Sequence, residues 1–302
     1  MSATSTPAPA IGAVGRWEPR LMRRRVIGTI FYGACLASIA ILLLTLILIL
    51  WDVLWQGVPW LDAQFLTGVP SRKPQQAGVF PALIGSIQVV VITGLLAFPV
   101  GVGAAIYLAE YAGNSRLTRA LRTNISNLSG VPSVIYGIFG LALFVRVLGF
   151  GFTVFSGALT LTLVILPVVV IASIEAIKAV PDAQREGAYA LGASRWQMVR
   201  QAVMPAAAPS MMTGIILAMA RAIGETAPLI LVGAFTFVTF VPKPFDGSYT
   251  VMPIQVLDWA TRPQADFHGL AAAAIIVILV LMLILNGLAI LVRARLSRYI
   301  QW

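Results

Sequence analysis

Apolar residues along this chain fall in long blocks, not in alternation. Six stretches, about 26–51, 81–109, 125–148, 153–177, 205–240 and 269–292, are rich in Leu, Ile, Val, Ala, Gly and Phe, and most charged residues lie between them. A helix rises 1.5 Å per residue, so about 20 apolar residues cross a hydrocarbon core of about 30 Å. The pattern therefore predicts an all-α polytopic membrane protein with six transmembrane helices. The fifth block exceeds one crossing, which predicts a tilt, a break near Pro228 or an extension beyond the bilayer. Pro99, Pro132, Pro167 and Pro228 are expected to interrupt spans, because proline removes a bond from the helical ladder. Small residues at four-residue spacing (Gly101, Ala105, Ala109) and the run of alanines at 271–274 let helices approach closely and need no role beyond packing. Trp51, Trp55 and Trp60 follow the first span as an interfacial aromatic belt would.

Composition agrees with this class. The chain of 302 residues is 59% hydrophobic and 11% charged, against about 25% charged in soluble domains. Its net charge of +10 is explained by basic loops on one membrane face, without a nucleic-acid partner. With the N-terminus in the cytoplasm, the inner segments hold Arg16, Arg20, Arg23, Arg24, Arg25, Arg116, Arg119, Arg122, Lys178, Arg185, Arg195, Arg200, Arg293, Arg295 and Arg298. The outer segments hold Arg72, Lys73, Arg146, Lys243 and Arg262. That asymmetry places both termini inside. Residues 1–25 read as a disordered, basic cytoplasmic tail and 26–302 as the permease domain. The first apolar run is too long for a cleaved signal core and reads as a retained helix. Cys35 has no disulfide partner, and His268 is the one histidine, so no His/Cys metal site is expected.

Two charged features need an account. The segment at 178–204, "KAVPDAQREGAYALGASRWQMVRQAVM", is too patterned for a plain connection. Asp182 after Pro181 is placed to cap a short helix, a turn follows at 192–194, and a second helix from Arg195 leads to Pro205. Ala188, Leu191, Trp196, Met198 and Val199 fall on roughly one side. Such a helix is either a knob for a partner's cleft or an amphipathic helix on the membrane surface. The second feature is "MARAIGETAPLI" at 219–230, which puts Arg221 and Glu225 on one helical face inside an apolar block.

The 178–205 segment resembles the cytoplasmic "EAA" loop of bacterial ABC-importer permeases. Glu186, Ala188, Gly192 and Pro205 match that motif in type and spacing; Gly187, Ala202 and Met204 depart toward small or apolar residues. "RAIGETAPL" at 221–229 and "GVPSVIYG" at 130–137 are similar to fifth-span and third-span motifs of phosphate-importer permeases of the PstA type. The resemblance covers about residues 20–295 and implies a type I ABC importer permease fold with a cytoplasmic coupling helix. It also implies a bacterial inner-membrane location, a second permease subunit (PstC-like), a dimer of ATPase subunits (PstB-like) and an extracytoplasmic phosphate-binding protein (PstS-like). Glu186, Ala188, Gly192, Arg195 and Pro205 would then belong to the coupling region, and the outer loops at 52–80 and 241–268 would receive the binding protein.

A charge at bilayer depth costs a few kcal/mol, so Arg221 is expected to face the bundle interior. One reading is an ion pair with Glu225 that holds helices together, although buried pairs are often no more stabilising than apolar replacements. The other suits phosphate. Arginine offers a planar fork that matches phosphate oxygens and stays charged, while Glu225 competes for it and so weakens the grip. Glu225 is also placed to accept a hydrogen bond from protonated phosphate, which sulfate lacks at neutral pH. Thr226 and Ser133 are candidate hydroxyls on the same pathway, though hydroxyls in helices often bond their own backbone. Arg146, at the outer end of span three, reads either as a loop arginine or as a charge that draws phosphate toward the mouth.

No G-x-x-x-x-G-K-[ST] run is present, so this chain is not expected to be an enzyme; it binds no cofactor, and ATP is used by partner subunits. Two other transport readings stay open: a permease for another oxyanion (sulfate or molybdate), or a stand-alone secondary transporter, although no repeat relates the halves as the latter requires.

Overall fold

The computed structural model describes residues 21–113, 115–235 and 237–298. The expected tail thus lies mostly outside the described residues, and its last part is already helical. The chain divides into two units, Met1–Asp52 and Val53–Trp302. The described part of the first is α1 (Leu21–Gly57), which runs on into the second. Hydrophobic residues occupy every side of it, the pattern of a lipid-embedded span.

The second unit is helical, with no strand among the described residues beyond an isolated bridge between Ala234 and Tyr249. Besides a short helix at Ala63–Thr67, its α-helices are α2 (Phe80–Tyr111), α3 (Arg116–Ser129), α4 (Ser133–Val147), α5 (Val154–Lys178), α6 (Asp182–Ala190), α7 (Arg195–Gly224), α8 (Ala227–Leu231), α9 (Met252–Ala260) and α10 (Ala265–Arg298). Helices α1, α2, α5, α7 and α10 are each long and apolar enough to cross a membrane, and α3 with α4 makes a sixth span only as a pair bent by 101°. The expected third span at 125–148 is therefore not one straight helix. Gly130 caps α3, and Pro132 cannot donate to the ladder and starts α4 afresh.

The fifth block also departs from its expected bounds. Its helix starts earlier, at Arg195, and stops at Gly224. Pro228 has no N–H for the carbonyl of Gly224, and the helix stops there. After the short α8 the chain is not helical: Gly233 takes a φ of +80°, and Phe235 donates its N–H to the carbonyl of Tyr249 at 2.8 Å. Two prolines thus break spans as expected. Pro99 and Pro167 do not, because they lie inside continuous helices. Pro205 is likewise carried inside α7, where the ladder widens to a π-type turn over Val199–Val203 just before it.

Three apolar clusters hold the second unit. The largest joins α2, α5 and α7 through Ala97, Ala105, Ile165, Val169, Ala207 and Ala218. The small-residue stripe earns its place here: a Cβ at Gly101 would lie 2.6 Å from the Val169 side chain. A second cluster gathers Phe65, Trp259, Phe267 and Leu270, and a third gathers Val89, Leu161, Leu229 and Tyr249. The alanines at 271–274 are buried, and a Cβ at Gly57 would come within 2.8 Å of the backbone of Ala272 and Ala273. The 241–268 loop is accordingly less of a free surface than expected. Much of it is α9, whose Met252, Ile254, Gln255 and Trp259 are buried.

Candidate functional site

Arg221 sits in the last turn of α7, where the helix dipole favours a cation. Glu225, at the C-cap with ψ 111°, turns back so that its Oε1 accepts from Arg221 Nε at 3.1 Å. The pair is made within one helix end, so it does not tie two helices together. Glu225 keeps 14% of its side-chain surface exposed and Arg221 53%. Nε makes the guanidinium's one hydrogen bond among the described residues, and both Nη nitrogens are without an acceptor. Those two nitrogens are the pair that can grip two oxygens of one anion.

The motifs at 130–137 and 221–229, far apart in sequence, pack on each other. A Cβ at Gly137 of α4 would lie 2.8 Å from Pro228 Cα and 3.1 Å from the Pro228 carbonyl oxygen. The absence of a side chain at 137 therefore lets the two breaks meet. Ser133 opens α4 one turn before Gly137, on the same face. Among the described residues no hydrogen bond joins Ser133 to Arg221 or Glu225. Thr226 turns its hydroxyl to the carbonyl of Gly224 at 3.4 Å, a local bond. Arg146 is exposed in the last turn of α4.

At another place in the fold, α6 and the start of α7 form a helix–turn–helix. Pro181, not Asp182, occupies the N-cap of α6; Asp182 is in the first turn and accepts from Arg185 Nη1 at 3.0 Å. Gly192 makes the turn with φ +78°. Ser194 then caps α7 in a capping box with Gln197. The expected single apolar side divides in two. Met198 and Val199 are buried and Ala188 packs on the main core, whereas Leu191 is 90% exposed and Trp196 and Tyr189 are also exposed. Glu186 and Gly192 are exposed as well. Gln184, Ala188, Leu191, Gln197 and Ala202 line a groove of about 630 Å³ beside the turn.

Sequence reasoning missed the residue that carries this motif. Glu110, in the last turn of α2, is buried and bonded to Arg185 at 2.9 Å. Arg195, expected to face a partner, reaches the Glu110 carbonyl and lies 5.0 Å from the centre of the Tyr111 ring. The available signal was a single acid at the end of an apolar block.

Residues 98–298 match the family described as binding-protein-dependent transport system inner membrane component. The chain is 39% identical over 218 residues to a probable ABC transporter permease protein, YqgI, of Bacillus subtilis, covering 71% of this chain and 73% of that one. It is 34% identical over 272 residues to the phosphate transport system permease protein PstA 1 of Mycobacterium tuberculosis, covering 87% and 88% of the two chains. Among solved structures, a bacterial ABC transporter that imports the acidic polysaccharide alginate aligns with TM-score 0.61 at 15% identity, over 91% of this chain and 99% of that one. The inward-facing MetNI methionine ABC transporter aligns with TM-score 0.57 at 17% identity, over 74% and 98%. These structural likenesses concern the fold alone.

Proposed function

This chain belongs to the binding-protein-dependent transport system inner membrane component family, and from that premise we propose that it is the permease subunit of an ATP-driven phosphate importer. Family membership makes it a non-enzymatic ABC-importer permease. The choice of phosphate rests on the half-exposed Arg221, whose two Nη nitrogens have no acceptor among the described residues while Nε is held by Glu225. A guanidinium in that state is aimed and charged but unsaturated, and in an apolar block it must find a polar neighbour in the assembly. A second permease across the pathway leaves a lane between the subunits. Phosphate entering it exchanges with Glu225 for the guanidinium, so it is bound without being trapped. Relatives that carry the name of phosphate permeases support the same reading.

Energy enters at the turn between α6 and α7. Exposed Leu191, beside Gly192 and Glu186, is an apolar tip of the kind that a cleft on an ATPase subunit would cover. That surface lies on the cytoplasmic side if the charge bias orients the chain, with both termini inside. The binding protein then delivers phosphate to the outer loops.

The test is radiolabelled phosphate uptake by vesicles that hold the full complex. Arg221→Ala, assembled normally, is expected to lower uptake by about tenfold or more. Uptake at the wild-type rate would remove Arg221 from the pathway. Glu225→Gln is expected to let sulfate compete, and an unchanged preference would end the proton-reading role while leaving Arg221 in place.

A further inference from the structure

Arg185 has an acceptor for every N–H of its guanidinium. Nε and Nη2 donate to Glu110 Oε1 at 3.2 and 2.9 Å, and Nη2 also donates to the Ile177 carbonyl at 2.9 Å. Nη1 donates to the Val180 carbonyl at 2.6 Å and to Asp182 Oδ1 at 3.0 Å. One side chain thereby ties together the end of α2, the last turn of α5 and the first turn of α6. Arg195 adds a second tie, since it bonds the Glu110 carbonyl and stacks beside Tyr111. Only 8% of the Glu110 side chain and 17% of the Arg185 side chain is exposed.

We infer that Glu110 is a positioning residue, a latch that fixes the α6–α7 turn to α2 and α5. This rests on the reading that the turn is where a partner ATPase pushes. A nine-residue helix joined to α7 by a glycine turn would give way under a push if only apolar contacts held it. A buried carboxylate paired with Arg185 of α6, next to the Glu110 backbone carbonyl that Arg195 of α7 bonds, stiffens the joint and is costly to separate, because Glu110 would be left as an uncompensated buried charge. Displacement of α6 is then passed to the spans that build the main core, and not absorbed in the loop. Glu186, exposed on α6, is left free for the partner.

The experiment compares ATP hydrolysed with phosphate moved in the reconstituted complex of permeases, ATPase and binding protein. Glu110→Gln keeps the shape of the side chain and removes its charge. It is expected to assemble and to hydrolyse ATP, while ATP consumed per phosphate rises about fivefold or more. Glu110→Gln combined with Arg185→Gln is expected to be no worse than Arg185→Gln alone, since both remove one shared contact. Amide hydrogen exchange over residues 182–190 is expected to quicken in the same variants. An unchanged ratio with unchanged exchange overturns the latch, as do losses that simply add. Should the complex with Gln at 110 fail to assemble, Arg185→Lys keeps a charge but loses the fork, and a wild-type ratio there overturns the proposal too. Exchange needs no substrate, so a wild-type complex that moves no phosphate would sink the substrate assignment and still leave the latch to be judged.

Discussion

Two arginines show how differently one side chain is used. Arg185 has spent all its donors on the protein, and Arg221 has spent one. Saturation makes the first a brace; its absence makes the second a candidate ligand for an oxyanion. Arg221 and Glu225 were legible in the sequence because four-residue spacing on a helix brings side chains together. Glu110 and Arg185 were not, since 75 residues separate them and only packing of α2 on α5 joins them. Arg221→Lys tests the fork itself. Lysine keeps the charge but is a point donor, so phosphate uptake is expected to fall about tenfold while assembly is kept. Glycines at 187 and 192 make a matched pair. Gly187 lies mid-helix in α6 with nothing within 4 Å of an added Cβ, and alanine there, which restores the family's E-A-A pattern, is expected to stabilise the helix by about 1 kcal/mol. Gly192 also has free space, but its φ of +78° makes alanine there cost about 1–2 kcal/mol. Thermal unfolding of the purified complex, together with ATPase co-purification, reads both.

At the level of elements, hydropathy found the apolar mass and misplaced its breaks. Apolar residues remain apolar whether they are helical or not, so the residues from Gly233 to Phe240 counted as span although the helix ends at Leu231. Prolines were ambiguous for a related reason. The helix stays continuous through the missing N–H at Pro167, which is buried, and at Pro99, which is exposed, and it breaks at Pro228, where a second element uses the gap. At the α4–α8 crossing that use is visible, because Gly137 lets Pro228 approach. Gly137→Val is therefore expected to destabilise the unit by about 1–3 kcal/mol through overpacking. It is also expected to abolish uptake, because the same crossing sets the end of α7 on which Arg221 stands. A stable, active Gly137→Val protein would show that the two broken spans need not touch. The helix–turn–helix at 182–198 was placed well by the turn read at 192–194, although Pro181 and not Asp182 holds the N-cap of its first helix. Its burial pattern was not, because Leu191 and Trp196 share a periodicity with Met198 but point away from the core.

The whole molecule asks a question that its fold does not answer by itself: which end faces the cytoplasm. The charge bias supports the orientation proposed above: fifteen basic residues are assigned to one side and five to the other, and short loops rich in Lys and Arg resist translocation. The exposed tip at 186–192 belongs to the basic side and the 241–262 segment to the other. Only that arrangement lets the tip meet an ATPase while phosphate arrives from outside. Cys35 is the one native thiol, so a Cys35→Ser chain is a clean background for labelling. In intact cells a membrane-impermeant maleimide is expected to label Lys243→Cys and to spare Glu186→Cys; in inside-out vesicles the two results exchange. Both positions are exposed, so a failure to label reflects sidedness and not burial. Labelling of Glu186→Cys from outside would put the tip on the wrong side for ATP, and the coupling role of α6 together with the Glu110 latch would fall with it.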